Sequence, residues 1–268
     1  MSERDGFQPG VPSWVDVFGP HPRALLDFYG PLFGWEFDGP GAMPGDPPGE
    51  YYVARLRGRD VAGIASLPQG SAPAWNTYIE VDSADRAVDT VRRAGGTVLA
   101  EPFDAPPAGR IAAAADPAGA AFGVWEPDAR SGVQLVNEPS AWSMSALNTD
   151  DREGAAEFYG TVFGWRVDDF QAGDFEAGMF RLPGYVGGNP EQPVPRDVVA
   201  TMLPLAEGAE PGWSVDFWVA DIDRAVDVAG ERGGAVIAQP TEVVEAFRQA
   251  VIADPNGVAF SVSQLMLG

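Results

Sequence analysis

The 268-residue chain is 45% hydrophobic and 21% charged, a globular composition with room for one large or two medium cores. Its 39 acidic residues outnumber 17 basic ones, all arginine, and the formal charge of −22 repels phosphate backbones and anionic lipid, which disfavours nucleic-acid and membrane-surface binding. The absence of cysteine excludes disulfide frameworks, thiolate metal sites and cysteine nucleophiles together.

The opening residues MSERDGFQPG show no basic-then-apolar export pattern, and no run of about 18 apolar residues occurs, so a cytoplasmic location is the expectation. An alternating strand over residues 14–17 leads into a helix of roughly 14 residues ending at Gly34. The single histidine, His21, stands in Gly-Pro-His-Pro at that helix start and reads as a polar helix-start residue, since one imidazole cannot build a metal site. After several short strands come a strand over 78–81, a helix from about Asp85 to the pair Gly95-Gly96, and strands near 97–99, 111–115 and 121–125. Residues 127–139, polar with proline at both ends, read as a linker. The scheme then restarts. A strand over 144–147 and a helix with a capping box at Asp150 and Glu153 end at Gly164; a strand over 215–219 and a helix from about Asp223 end at Gly233-Gly234; strands follow near 235–238, 250–253 and 259–262.

The restart is a literal repeat. Phe28-Tyr29-Gly30-Pro31-Leu32-Phe33-Gly34-Trp35 returns as Phe158-Tyr159-Gly160-Thr161-Val162-Phe163-Gly164-Trp165, an offset of 130 residues. Asp85-Arg86-Ala87-Val88-Asp89 and Asp116-Pro117 return as Asp223-Arg224-Ala225-Val226-Asp227 and Asp254-Pro255, an offset of 138. Two fused copies are therefore predicted, residues 1–130 and 131–268, with the net eight-residue gain of the second copy in the Pro- and Gly-rich stretch 184–210.

Strand, helix ending in Phe-Tyr and Phe-Gly-Trp, further strands, then Ala-Gly-Gly and Asp-Pro-x-Gly resembles the pattern of the vicinal-oxygen-chelate superfamily of glyoxalase, bleomycin-resistance and dioxygenase proteins, above all its tandem two-domain actinobacterial members. The resemblance implies an α+β fold in which paired βαβββ units curl an eight-stranded mixed sheet around a cleft. It also implies a divalent metal, held by His, Glu or Gln on the first strand of each unit and a Glu on the last. Counting from the motifs puts those positions at Trp14, Asn76 and Gly123 in the first copy and at Met144, Ser214 and Ser261 in the second. None is an imidazole or a carboxylate, so neither a metal nor another cofactor is expected.

Strand alternation divides the remaining side chains between cleft and helices. Trp14, Asp16, Asn76, Tyr78, Glu80 and Trp125 are predicted to face the first cleft; Trp142, Met144, Ser214, Asp216, Trp218, Ser261 and Ser263 the second. Aromatic walls with a few acids and hydroxyls suit a flat, partly apolar molecule, and the net charge favours a neutral or cationic one. The same aromatic residues could instead fill a core or an interface. Asp16, Glu80 and Asp216 are the candidate general bases, with pairing to arginine as the alternative. Three readings stay open: metal-independent sequestration or carriage of a small molecule; a metal-independent isomerase, cyclase or lyase of secondary metabolism; and an interaction protein with vestigial clefts. Glyoxalase, extradiol-dioxygenase and fosfomycin-type chemistry rely on the metal and are set aside for want of ligands. Fusion supplies the pairing that single domains obtain by dimerising, so a monomer with its two domains paired is expected.

Overall fold

The alternating and helical patterns resolve into one scheme used twice. In the computed structural model, which describes residues 3–43, 48–172, 175–187, 196–245 and 247–266, the first copy runs β1 (Pro12–Gly19), α1 (Pro22–Phe33), β2 (Glu36–Met43), β3 (Gly49–Leu56), β4 (Arg59–Ser66), β5 (Ala74–Glu80), α2 (Ala84–Arg93), β6 (Thr97–Ala105), β7 (Gly109–Ala115) and β8 (Ala121–Pro127). The second runs β9 (Trp142–Asn148), α3 (Arg152–Phe163), β10 (Arg166–Ala172), β11 (Phe175–Arg181), β12 (Val198–Leu203), β13 (Gly212–Trp218), α4 (Ile222–Glu231), β14 (Ala235–Val244), β15 (Phe247–Ala253) and β16 (Ala259–Leu265). Each copy forms its own eight-stranded mixed sheet, ordered β2-β3-β4-β1-β5-β8-β7-β6 and β10-β11-β12-β9-β13-β16-β15-β14. Its two βαβββ units meet at an antiparallel pair, β1 with β5 and β9 with β13, flanked on both sides by parallel pairs. The sheet curls, leaving one face concave and the other against the helices. Among the described residues no helix is long and apolar enough to cross a membrane.

Local chemistry sets the helix ends. Pro22 opens α1, where its missing N–H leaves no bond unmade, and exposed His21 only precedes it. Ser83, Asp151 and Asp221 cap the other three helices with side-chain oxygens. The cap of α3 is thus one residue later than the box at Asp150 and Glu153 suggested, because Asp151 Oδ1 reaches the Gly154 N–H at 2.9 Å.

Register shows where the second copy grew. Asp16 pairs with Gly63 as Ala146 pairs with Thr201, and Val53 faces Gly63 as Met179 faces Thr201. The offset is therefore 130 at β1, 126 at β3 and 138 at β4: the β10–β11 hairpin is four residues shorter, and the β11–β12 connection twelve longer. That connection overlaps the expected 184–210 stretch, of which residues 188–195 lie outside the described residues.

Both hydrophobic cores are built across the copies. One joins Val17, Leu25, Phe28 and Ile64 to Phe217, Ile222, Phe260 and Val262; the other joins Ile79, Val91, Phe122 and Val124 to Phe158, Tyr159, Phe163 and Phe180. Helix α1 packs beside α4, and α3 beside α2. The repeated motifs supply the polar links of this arrangement. Trp75 Nε1 donates to the Tyr29 hydroxyl (3.0 Å), which donates to Asp254 Oδ2 (3.0 Å) in the other copy. Its counterpart runs from Trp213 Nε1 to Tyr159 (2.9 Å) to Asp116 Oδ2 (3.2 Å). Trp35 and Trp165 add Nε1 bonds to the Ser140 and Gly10 carbonyls at 2.8 and 2.7 Å. Phe-Tyr, Phe-Gly-Trp and Asp-Pro thus recur because each copy uses them to hold the other.

The linker departs from its polar reading. Val133, Leu135 and Val136 are buried in the first core, and Val133 N–H donates to the Ser13 carbonyl at 2.8 Å. Arg130 ties the segment to Asp60 on β4, which also holds Arg55. Three apolar side chains among polar neighbours were too few to show a period, yet they suffice to pin a strap across the first sheet.

Candidate functional site

Strand register places the cleft-facing residues in rows. On the first sheet Trp14 pairs with Tyr78 and Tyr78 with Gly123, Asp16 pairs with Asn76, and Glu80 pairs with Trp125. Asp16, only 2% exposed, accepts from Asn76 Nδ2 (2.9 Å) and the Tyr51 hydroxyl (3.1 Å), and Tyr78 also bonds its carboxylate. Trp14 Nε1 donates onward to the Tyr51 oxygen at 2.9 Å. Burial pushes the Asp16 carboxyl up to about 7, although its three hydrogen-bonding neighbours pull it down. Burial first, and the Asp16 charge second, hold the Tyr51 and Tyr78 phenols well above their ordinary range.

This face is filled. A Cβ at Gly123 would lie 2.1 Å from Tyr78 Cδ1, and one at Gly63 would lie 2.1 Å from the Tyr51 hydroxyl oxygen, so glycine at both positions is what admits the two rings. Trp14 and Trp125 meet edge-on at 5.9 Å, both buried. Glu80, also buried, has an Oε2 with no hydrogen-bond partner, and burial, then Asp82, raises its carboxyl to about 7. Val133 and Leu135 of the linker share a core with Trp14, Tyr78 and Trp125. A pocket of about 190 Å³ remains at the rim, between Asp60, Pro107 and linker residues that include Arg130.

The second face carries smaller side chains at several of the same positions. Met144, Asp216 and Ser261 form one row, Ala146 and Ser214 the next, and Trp218 pairs with Ser263, which pairs with Gln249. Met144, Ala146 and Ser263 stand where the first sheet has Trp14, Asp16 and Trp125. As a result Met144, Ala146, Met179, Ser214, Gln249 and Ser261 all remain partly exposed. Asp216, 9% exposed, accepts from the Ser143 hydroxyl, from Ser263 Oγ at 2.6 Å and from Gln249 Nε2 at 3.3 Å. Burial lifts its carboxyl to about 6 against these three bonds. Trp218, itself only 8% exposed, lies beside it on the same strand face, outside the two hydrophobic clusters. The two buried acids are not equivalents: Asp16 corresponds to Ala146, and Asp216 to Tyr78.

One predicted lining residue is corrected. A bulge between Asp216 and Phe217 brings Ser143 onto Asp216 and sets Trp142 opposite Phe217, within the core. Tyr51, Ser143 and Gln249 escaped sequence reasoning. The alternation of residues 49–56 carries the facing of Tyr51, but nothing local says which strand it borders.

The divalent metal implied by the superfamily resemblance does not fit these residues. Asn76 already donates to Asp16, Gly123 lies under Tyr78, Met144 offers a thioether, and Ser214 Oγ accepts from Asn148 Nδ2 at 3.0 Å. Such donors do not make a hard-oxygen or imidazole shell. Among the described residues no group of three or more His, Cys, Asp or Glu side chains gathers.

A family model for a glyoxalase-like domain matches residues 14–125 and again 144–263. Across 98% of its length the chain is 37% identical to a Mycobacterium tuberculosis protein named "Putative glyoxylase CFP32", covering 97% of that protein. It is 33% identical to the anthracycline biosynthesis protein DnrV of Streptomyces peucetius, with 98% and 96% covered. Among solved structures, the Mn(II)-bound glyoxalase from Novosphingobium aromaticivorans superposes with a TM-score of 0.65 at 16% identity, covering 97% of this chain and 83% of that one. The 2,3-dioxygenase LapB from Pseudomonas sp. KL28 gives 0.64 at 14%, covering 96% and 93%. At such identities these two structures share the fold.

Proposed function

The chain belongs to the glyoxalase-like domain family, one domain per copy, and from that premise we propose that its second cleft binds a small, partly aromatic organic molecule without a metal, to sequester or carry it. The asymmetry of the clefts supports this reading: Tyr51, Tyr78, Trp14 and Trp125 fill the first, while the second leaves its lining partly exposed around Asp216. Trp218 offers a flat wall, Met144 and Met179 offer thioethers that adapt to irregular apolar shapes, and Ser214, Ser261 and Gln249 offer hydrogen bonds. The first domain then serves as scaffold, since its packed core also carries Phe217, next to Asp216. A relative named for anthracycline biosynthesis accords with an organic ligand.

A second reading, base catalysis by Asp216, draws on the carboxyl being lifted to about 6. In that case Asp216→Asn loses turnover while substrate still binds.

Binding is tested on protein dialysed against EDTA. Neutral aromatic compounds that enter the second cleft should quench tryptophan emission and raise Tm by mass action. Trp218→Ala should weaken them by about 1–3 kcal/mol, as truncated aromatic anchors do. A panel that binds only after a divalent metal is restored, or binds wild type and Trp218→Ala equally, would reject the proposal.

A further inference from the structure

Building on the reading of the second cleft as the ligand site, we propose that its ligands carry a protonated amine that seats on Asp216. Three of the roughly four acceptor positions of a carboxylate are taken by neutral donors: Ser263 and Gln249 at Oδ1, Ser143 at Oδ2. No cation stands near it among the described residues. Ser143 and Met144 face it from β9, Gln249 from β15, and Ser261 and Ser263 from β16. Arg248 alternates to the far side of β15 and is held by Asp223 at 2.8 Å, while Arg181 is engaged by Asp168 and Asp197.

A carboxylate in this setting is costly to keep ionised, because hydroxyls and an amide replace water only in part. An ammonium group completes its set with a charge-assisted bond, which is shorter and stronger than a neutral one. Trp218, two residues along the same strand face, can cover the carbon skeleton beside the cation. The net charge of −22 favours the approach of such a ligand. The first cleft shows the contrasting solution: Asp16 is closed over by Tyr51, Asn76 and Tyr78 and leaves no place for an amine.

Matched probes decide the matter. 2-Naphthylethylamine and 2-naphthylethanol share a skeleton and differ in charge, and their affinities for the EDTA-treated full chain can be measured calorimetrically at about pH 8 and about pH 5. The amine is expected to bind about ten-fold more tightly than the alcohol at the higher pH. That preference should shrink at the lower pH, where Asp216 is mostly protonated, and should vanish in Asp216→Asn. Equal or tighter binding of the alcohol at the higher pH overturns the amine assignment and leaves the cleft reading standing. An amine preference that survives both Asp216→Asn and low pH also overturns it, by placing charge recognition elsewhere. If neither probe binds and tryptophan emission is unmoved, both the inference and the cleft reading fall.

Discussion

Replacing Phe217 with alanine is expected to lower stability by about 3–5 kcal/mol and to unfold both copies in a single transition. The ring sits in a core that its own copy does not complete: it lies 5.0 Å from Phe33 and 5.0 Å from Trp75, both of the first copy, and 6.0 Å from Phe260 of the second. Its truncation leaves a cavity that the first copy's rings cannot close alone, because Phe28 is held against Tyr29 and Phe260, and Trp35 against Tyr29 and Phe33. Chemical denaturation followed by tryptophan emission reads the result directly. Two separate transitions, or a loss under about 1 kcal/mol, would mean that the copies fold as independent units, contrary to the shared cores.

Asp16→Asn is expected to stabilise the protein by about 2 kcal/mol near pH 8 and to bring no gain near pH 4.5. The sign follows from the direction of the shift. Burial raises the Asp16 carboxyl from 3.8 to about 7 in the folded chain, so folding favours the protonated acid, and its contribution is present below the unfolded value and lost as pH rises through the folded one. A rise from 3.8 to about 7 corresponds to roughly 4 kcal/mol. The amide recovers only part of that, since its Nδ2 displaces the acceptor that the Tyr51 hydroxyl now uses. Urea midpoints of wild type and variant at the two pH values isolate this group, because other titrations are common to both. A difference independent of pH would show that Asp16 is ionised at no unusual cost.

Much of this arrangement was legible in the amino-acid sequence, and the remainder has identifiable reasons. The repeat fixed two domains, because a motif as long as Phe-Tyr…Phe-Gly-Trp recurs only when the structure around it recurs. Period-two alternation placed Trp14, Asp16, Asn76, Tyr78 and Glu80 on one face, and the pairing registers agree. Alternation failed at Trp142, where one extra residue at a bulge moves a side chain to the opposite face. Nor could it show that Tyr51 and Tyr78 close the first cleft while Met144, Ala146 and Ser214 of the second stay partly exposed, because the closure depends on Gly63 and Gly123 lying across the sheet from those two rings. The buried linker was missed because Val133, Leu135 and Val136 follow no period and pack against a surface assembled from distant strands.

Methionine-methyl NMR on EDTA-treated protein tests the central claim most directly. Of the six methionines, Met144 and Met179 line the second cleft, whereas Met202 is fully buried in a core. Adding a flat aromatic ligand that binds the protein should move the Met144 and Met179 signals together, leave Met202 in place, and do so with no metal present. Unchanged Met144 and Met179 signals at saturating ligand, or shifts that appear only after a divalent metal is restored, would contradict metal-free binding in the second cleft.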